Sequence, residues 1–248
     1  MSDEKIRIGG FIDFTTLDWP GKIASVIFFH GCNYRCPFCF NGDFVVGKKF
    51  TNMDIEEILA AFLKNKDFVD HVVICGGEPT LQSEGLIKLC RALKQNGFKI
   101  KLDTNGSNPS VIKKITNERL VDYIAMDIKA TFDENYKRAT GQTGIPTDVK
   151  KSLEIISKSG IDYECRIPVV PSINMELVPK IAEQLKSAKT VVLEQFIPDN
   201  ALDGRLRASR SPTREELMEL ALNFKNPCIK IRTREAGEET IQTASKEA

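Results

Sequence analysis

Three cysteines that share one short loop are the residues of this sequence best suited to chemistry. Cys32, Cys36 and Cys39 lie within residues 31–39, at a C-x3-C-x2-C spacing. Thiolates this close in sequence can bind three corners of a 4Fe-4S cubane and leave the fourth iron without a protein ligand. Structural zinc is the alternative for clustered thiols, but zinc usually closes its coordination with four ligands. The spacing therefore favours an iron-sulfur cluster with one open iron.

The other four of the seven cysteines stand apart from this loop and from each other. An isolated cysteine in apolar surroundings usually behaves as a small hydrophobic residue. We therefore expect these four to pack in the core: Cys75, Cys90, Cys165 and Cys228. Only two histidines are present, His30 and His71. A site built from several imidazoles is therefore excluded.

A second polar segment, Gly76-Gly77-Glu78, directly follows an apolar run that ends at Cys75. Glycine lets a backbone approach a ligand closely, and Glu78 adds a carboxylate. A Gly-Gly pair alone is not specific. Its place after a predicted strand nevertheless puts it where ligands bind in parallel α/β proteins.

Two more predicted strands also end in polar residues. Asp103 and Asn105 follow the first, and Asp127 and Lys129 end the second. Paired acids are compatible with a hydrolytic site. The alternative roles are structural: Asp103 could cap the end of its strand, and Asp127 and Lys129 could form a surface ion pair. Because carboxyl ends of parallel strands meet at one edge, we expect these groups near the cysteine loop.

The elements that position these residues alternate regularly along the chain. An apolar helix face at residues 55–63 precedes a short apolar strand at residues 72–75, and the unit then recurs. About six strands are predicted, at residues 23–29, 72–75, 99–102, 123–128, 164–170 and 191–196, with a further candidate at 229–232. This alternation indicates an α/β fold with parallel strands, as an open doubly wound sheet or an incomplete barrel.

The last predicted helix opens with a capping box formed by Thr213 and Glu216, and the chain after it becomes polar. We expect one domain over residues 1–234 and a frayed polar tail at 235–248.

Charge and hydropathy exclude two classes of partner. Lys and Arg number 35 against 34 Asp and Glu, a formal net charge of +1. No net field therefore attracts nucleic acid or an anionic membrane surface. The longest apolar run is far shorter than the roughly 20 residues needed to span a bilayer, and the polar start is no signal peptide. We expect a cytoplasmic protein with no nucleic-acid or membrane partner.

The cysteine spacing resembles that of the radical S-adenosylmethionine superfamily, whose three cysteines bind a 4Fe-4S cluster that S-adenosylmethionine chelates at the fourth iron. The segments at residues 76–79, 103–106 and 127–129 look like the G-G-E-P, D-T-N-G and D-x-K motifs of glycyl-radical activating enzymes. The resemblance implies an incomplete (β/α)6 TIM-like barrel of parallel strands with an N-terminal extension and an apolar interior.

The resemblance also implies roles for individual residues. The aromatic residue before the third cysteine packs near the adenine, and the Gly-Gly-Glu segment holds the amino group of the methionine moiety. The two aspartates can hold a monovalent cation beside the methionine carboxylate, and the lysine meets the ligand directly. The implied ligand-binding residues are Phe38, Phe40, Gly76, Gly77, Glu78, Asp103, Asn105, Asp127 and Lys129.

Further segments, at residues 9–11, 17–22 and 193–196, resemble the activating proteins of anaerobic ribonucleoside-triphosphate reductase. Phe40 departs from that subgroup, which usually has histidine there, and Trp19 replaces its usual tyrosine. The resemblance implies reductive cleavage of S-adenosylmethionine and formation of a glycyl radical on this reductase or another glycyl-radical enzyme. It also implies a low-potential electron donor of the flavodoxin or ferredoxin type.

Two other functions stay open. One is a radical enzyme acting on a small molecule, similar to 7-carboxy-7-deazaguanine synthase. The other is a non-catalytic electron carrier, although carriers normally close all four irons with protein ligands. A basic stretch could meet an acidic partner surface or form a solvated loop; it comprises Arg205, Arg207, Arg210 and Arg214.

Overall fold

One ten-stranded sheet organises the described part of the chain, residues 5–141 and 146–242 of this computed structural model. The strands are β1 (Ile6–Thr15), β2 (Ala24–Phe29), β3 (Thr51–Met53), β4 (His71–Gly76), β5 (Lys99–Thr104), β6 (Tyr123–Asp127), β7 (Asp162–Val169), β8 (Thr190–Gln195), β9 (Cys228–Thr233) and β10 (Gly237–Thr240). The helices are α1 (Gly42–Val46), α2 (Ile55–Leu63), α3 (Ser83–Gln95), α4 (Pro109–Asn117), α5 (Glu134–Thr140), α6 (Thr147–Lys158), α7 (Val178–Gln184) and α8 (Arg214–Ala221).

The strand order is β10-β9-β8-β7-β6-β5-β4-β2-β1-β3. From β2 to β9 the neighbours in this order pair in parallel. The antiparallel strands β1 and β3 close one end, and β10 closes the other. The sheet is open, so the predicted α/β fold with a partial parallel barrel is confirmed. β9, the seventh parallel strand, contains the further candidate at residues 229–232.

The helices cover the outer face of the sheet with a continuous apolar core. In β5, Ile100 and Leu102 point into this core and are fully buried, and in β6 Ile124 and Met126 do the same. A helix presents apolar residues three and four positions apart to such a surface. Thr213 and Glu216 form the predicted capping box at the start of α8. Among the described residues, no helix is long and apolar enough to cross a membrane.

The prediction of a frayed tail is wrong for residues 237–240, which form β10. Glu238 bonds to Lys230 at 2.7 Å and to Arg232 at 2.6 Å on the neighbouring strand. Glu239 bonds to Arg214 of α8 at 2.7 Å. The polar character that suggested fraying therefore supplies the charges that attach β10 to the sheet. Residues 243–248 of the predicted tail lie outside the described residues.

Candidate functional site

A cavity of about 590 Å³ lies inside the open barrel. Residues of β1 and the loop after it line one side, and residues of β8 and β9 line the other. The cavity therefore faces the open side of the sheet. Every predicted site residue except Glu78 lines it, namely Cys32, Cys36, Cys39, Phe38, Phe40, Gly76, Gly77, Asp103, Asn105, Asp127 and Lys129.

The cysteine loop follows β2 and is fixed by backbone hydrogen bonds at several points. The Gly31 amide donates to the Phe44 carbonyl at 2.7 Å, and the Cys39 amide donates to the Cys36 carbonyl at 3.0 Å. The Arg35 amide donates to the Thr140 carbonyl at the end of α5, at 2.8 Å. These bonds hold the loop so that its three thiols border one cavity.

The three thiols suit an iron-sulfur cluster better than a zinc ion. Among the described residues, no group of three His, Cys, Asp or Glu side chains is arranged to hold one metal ion. Zinc gathers its ligands around a single ion, whereas each thiolate of a cubane binds a different iron. Burial raises the pKa of Cys32 to about 11 and that of Cys36 to about 12, although Lys129 lowers both. The free thiols are therefore protonated at neutral pH, and binding iron would release their protons.

The Gly-Gly pair is required by the cysteine loop itself. Gly76 has φ +115°, and a Cβ at Gly77 would lie 2.0 Å from the Gly31 carbonyl oxygen. The Gly77 amide donates to the Phe29 carbonyl at 2.8 Å, and the Glu78 amide donates to the Gly31 carbonyl at 2.8 Å. Side chains here would push β4 away from the loop. Both glycines also line the cavity, so their backbone is available to a ligand.

Glu78 differs from the other predicted ligand-binding residues, because its side chain is only 1% exposed and it does not line the cavity, so its contact with the ligand stays a prediction. One carboxylate oxygen accepts hydrogen bonds from the hydroxyls of Thr80 and Thr104, at 2.6 and 2.8 Å. The other accepts from the Asn105 amide at 2.7 Å. Burial raises the pKa of Glu78, and these donors oppose that rise. Glu78 therefore positions the residues after β5.

The predicted polar residues after β5 and β6 belong to one chain of opposite charges, which also contains Arg166 of β7. Arg166 donates to Asp103 at 2.9 Å and to Asp127 at 3.0 Å. Lys101 lies 3.0 Å from Asp103, and Lys129 lies 3.0 Å from Asp127. Although burial alone would raise it, the charges of Arg166 and Lys129 hold the pKa of Asp127 at about 2.

Two cations of this chain of charges, Lys129 and Arg166, line the cavity. Both can donate charge-assisted hydrogen bonds to an anionic group such as the carboxylate of a bound amino acid. A monovalent cation at Asp103 and Asp127 would share their oxygens with Arg166, Lys101 and Lys129.

Asn105 and the two aromatic residues border the cysteines. The Asn105 side-chain amide donates to the side-chain oxygen Oδ1 of Asn33 at 3.0 Å and lies 3.8 Å from the Cys32 sulfur. The Lys129 ammonium lies 5.9 Å from the centre of the Phe38 ring, which is buried. Phe40 is exposed at the edge of the cavity.

The barrel interior is charged on its β5–β9 side, so the expectation of an apolar interior is wrong there. Arg232 bonds to Glu194 and to Glu238 and lies 3.6 Å from the fully buried Glu164. Tyr123 donates to Glu164 at 3.0 Å. The sequence signal for these residues was present, because polar residues alternate with apolar ones along β7 and β9.

An apolar cluster fills the β2–β4 side of the interior and includes Trp19, Val26, Val73 and Cys75. The expectation that Cys75 only packs in the core is incomplete, because Cys75 also lines the cavity. Burial, followed by the charge of Asp103, raises its pKa. Cys90 and Cys165 pack in the outer core as predicted, and Cys228 is half-buried.

The edge of the cavity carries exposed apolar side chains. Ile12 is 39% exposed, Leu17 is 80% exposed and Phe40 is 54% exposed, and all three line the cavity. An exposed apolar group of this kind beside a cavity is typical of a surface that binds a partner.

Three curated relatives resemble the chain over most of its length. A Methanocaldococcus jannaschii protein, provisionally named a glycyl-radical enzyme activating enzyme, is 37% identical over 87% of this chain and 90% of its own. The pyruvate formate-lyase-activating enzyme of Clostridium pasteurianum is 30% identical over 79% of this chain and 83% of its own. The 7-carboxy-7-deazaguanine synthase of Methanothermobacter thermautotrophicus is 29% identical over 66% of this chain and 68% of its own.

Solved structures share the fold at low sequence identity. TYW1 with a lysine-pyruvate adduct bound has a TM-score of 0.61 and 18% identity, over 91% of this chain and 81% of that one. QueE from Escherichia coli has a TM-score of 0.53 and 18% identity, over 93% and 95% of the two chains.

The family comparison covers the residues that form the site. The model of the Radical SAM superfamily matches residues 26–185, which contain the cysteine loop, the Gly-Gly segment and both aspartates. A 4Fe-4S cluster and S-adenosylmethionine are the cofactors of this family. Because the match extends over more than half of its residues, the chain belongs to the Radical SAM superfamily and is a radical S-adenosylmethionine enzyme.

Proposed function

We propose that this enzyme activates a glycyl-radical enzyme, and that its partner is an anaerobic ribonucleoside-triphosphate reductase. The observation that carries the proposal is the open cavity with its exposed apolar edge of Ile12, Leu17 and Phe40. The relative from Methanocaldococcus jannaschii, 37% identical, supports the activating type. The specific reductase rests on the sequence segments at residues 9–11, 17–22 and 193–196.

The cysteine loop would hold the cluster through Cys32, Cys36 and Cys39. When bound and reduced, the cluster would supply the one electron needed to cleave the bond between sulfur and the 5′-carbon of S-adenosylmethionine, which would give methionine and a 5′-deoxyadenosyl radical. Lys129 and Arg166 lie on the same cavity and would bind the methionine carboxylate through charge-assisted hydrogen bonds. Phe38 would pack against the adenine. These residues fix the orientation of the ligand.

The target would be the Cα–H of a backbone glycine on the partner, which gives up a hydrogen atom to form 5′-deoxyadenosine and a glycyl radical. Glycine has no side chain, so a loop that contains it can enter a cavity of about 590 Å³ beside the bound cofactor. The exposed apolar edge would then be covered by the partner. A small substrate would leave this edge in water.

The small-molecule alternative is supported by the relative that is a 7-carboxy-7-deazaguanine synthase. Glu194 and Arg232 line the far side of the cavity and could bind a polar substrate. The experiment must therefore separate a protein target from a small one. A non-catalytic electron carrier would release no 5′-deoxyadenosine with any partner.

The test uses the anaerobically reconstituted enzyme with the candidate reductase and a low-potential donor. We expect an organic radical whose electron paramagnetic resonance doublet collapses when the reductase carries glycine deuterated at Cα. The Cys36→Ala variant is the matched control and should give no radical. If a small metabolite alone accelerates cofactor cleavage and takes up the hydrogen label, while no reductase acquires a glycyl signal, the proposal fails.

A further inference from the structure

The outer side of the cysteine loop reaches the protein surface at Arg35. The thiols on either side of it border the cavity, whereas Arg35 is exposed. Its guanidinium donates to the carbonyls of Cys32 at 2.6 Å and Tyr34 at 2.8 Å. A positive charge is therefore fixed on the surface directly beside the cluster-binding residues.

Both segments that flank the loop add positive charge. On one side, α5 is followed by Gly141, where an added Cβ would lie 3.3 Å from the Cβ of Arg35. Lys137 and Arg138 are exposed on this helix. On the other side, the Asp203 amide donates to the Pro37 carbonyl at 2.8 Å, and the exposed Arg207 follows.

We call Arg35, Lys137, Arg138 and Arg207 the basic patch. Within residues 5–141 and 146–242, none of the four forms an ion pair with a carboxylate. Arg205, in contrast, is paired with Asp203 at 2.6 Å, so it adds no net charge. The acids of α5, Asp133 and Glu134, lie at the start of the helix, away from Gly141.

The patch is a local feature, since the whole chain carries a formal charge of only +1. An electrostatic field of this kind steers an oppositely charged partner and raises its rate of association. The patch lies on the outer side of the loop. At the cavity edge, Phe40 directly follows the loop, whereas Ile12 and Leu17 belong to a different segment. A partner on the patch would therefore leave the side of the cavity at Ile12 and Leu17 accessible.

We propose that the basic patch binds the electron donor, a one-electron carrier protein with an acidic surface around its flavin or iron-sulfur group. This inference rests on the proposed function, which requires such a donor. One electron passes from the reduced carrier to the cluster, so the carrier is oxidised by one electron and the cluster is reduced by one. The rate of electron transfer falls steeply with distance, and the patch provides the short approach through the loop.

The experiment measures the rate of cluster reduction in the cluster-loaded full chain by stopped-flow absorbance. The test variant is Lys137→Glu combined with Arg138→Glu, because these exposed side chains make no hydrogen bond to the loop. The control variant is Lys64→Glu combined with Lys225→Glu, which changes the net charge equally. Both control lysines are exposed and precede the amino ends of parallel strands β4 and β9.

We expect reduction by reduced flavodoxin or ferredoxin to slow about tenfold or more at low salt in the test variant, since electrostatic steering contributes on that scale. Its dependence on ionic strength should weaken as well. Photoreduction by a neutral deazaflavin should stay within about twofold of the unmodified enzyme. Slowing with only one carrier supports the proposal and identifies whether the donor carries a flavin or an iron-sulfur group.

Arg207→Glu is a second variant, on the other flank of the loop, and should slow the same carriers by a smaller factor. Unchanged carrier rates in both variants overturn the proposal, as does equal slowing in the control variant. Equal slowing with deazaflavin also overturns it, because the substitutions would then have altered the cluster. Failure of the unmodified, deazaflavin-reduced enzyme to cleave S-adenosylmethionine would instead contradict the cleavage chemistry itself, independently of the patch.

Discussion

Successive residues of strands β5–β9 point to opposite faces of the sheet, and the two faces differ in composition. The outer face packs against the helices and is apolar, with Ile100, Leu102, Ile124, Met126, Cys165, Ile167, Leu193, Ile229 and Ile231. The inner face carries charges, with Lys101, Asp103, Asp127, Glu164, Arg166, Glu194 and Arg232. Parallel strands buried on both faces are usually apolar on both. The difference shows that the outer face provides the packing and the inner face provides the chemistry.

Buried ion pairs contribute little net stability, because the cost of desolvation offsets their attraction. The inner charges therefore have a functional explanation more than a stabilising one. The apolar outer face loses its contact with water on folding and supplies the larger driving force. Substitutions on the inner face should thus affect ligand binding, whereas substitutions on the outer face should affect the free energy of unfolding and leave ligand binding unchanged.

The largest difference in effect is expected between substitutions of Cys36 and Cys165. Cys36→Ala should abolish the cluster, because its thiol borders the cavity with Cys32 and Cys39. Cys165→Ala, on the outer face, should keep the full iron content and lower the free energy of unfolding by about 1 kcal/mol. Iron and sulfide analysis after anaerobic reconstitution checks both. A complete cluster in Cys36→Ala would refute the assignment of the site.

Arg166→Ala should destabilise the protein by about 3 kcal/mol, because Asp103 and Asp127 would each lose a buried cationic partner. It should also weaken S-adenosylmethionine binding. Ile167→Ala on the outer face should lower the free energy of unfolding by a comparable amount, roughly 2–5 kcal/mol, because it leaves a cavity. It should leave ligand affinity unchanged. Urea unfolding and equilibrium binding distinguish the two. Equal loss of affinity in both variants would contradict the division between the faces.

Within the site, substitution of Lys129 should mainly lower ligand affinity, whereas substitution of Glu78 should mainly lower stability. Lys129→Met removes an ammonium that lines the cavity and should lower the affinity for S-adenosylmethionine about ten- to hundredfold. Glu78→Gln should keep the iron and lower the free energy of unfolding by about 1–3 kcal/mol, because a buried acceptor is lost. Titration of the cluster-loaded variants checks the affinity. A larger affinity loss in Glu78→Gln than in Lys129→Met would reverse their roles.

The smallest expected effect is a pH dependence of stability at Asp127. Its pKa is lowered to about 2, so the ionised carboxylate stabilises the fold above pH ~4, and this contribution is lost as the pH falls toward 2. Between pH 5 and pH 2, the free energy of unfolding of the cluster-free protein should fall by about 2 kcal/mol more than that of the Asp127→Asn variant. Urea unfolding over this range measures the difference. Parallel pH profiles would show that Asp127 is not held by Arg166 and Lys129.

Much of the outer layer is predictable from the sequence. The residues of α2 follow the apolar spacing of a helix, and the structure has the helix at Ile55–Leu63. β4 and β5 also contain the predicted apolar runs at residues 72–75 and 99–102. These elements are predictable because each packs on the core through a periodic set of apolar side chains.

The inner layer and the short elements are harder to predict. The alternation along β7 places Arg166 on the inner face, but the sequence does not show that it meets Asp103 and Asp127 of neighbouring strands. The motif after β4 predicts a ligand contact for Glu78, but its sequence position cannot show that Thr80, Thr104 and Asn105 bond to its oxygens. β3 has three residues and β10 four, and pairing with a neighbouring strand, rather than a pattern of their own, defines both.

Trp19 packs against the first residues of two strands, with its ring centre 4.9 Å from that of His71 and 6.2 Å from that of Tyr123. It is the only tryptophan in the sequence and is 7% exposed. Intrinsic fluorescence excited at the indole band therefore reports on this end of the barrel alone. Native emission should lie at short wavelength and shift to the red when the strands separate, which gives an optical signal of unfolding without any engineered label.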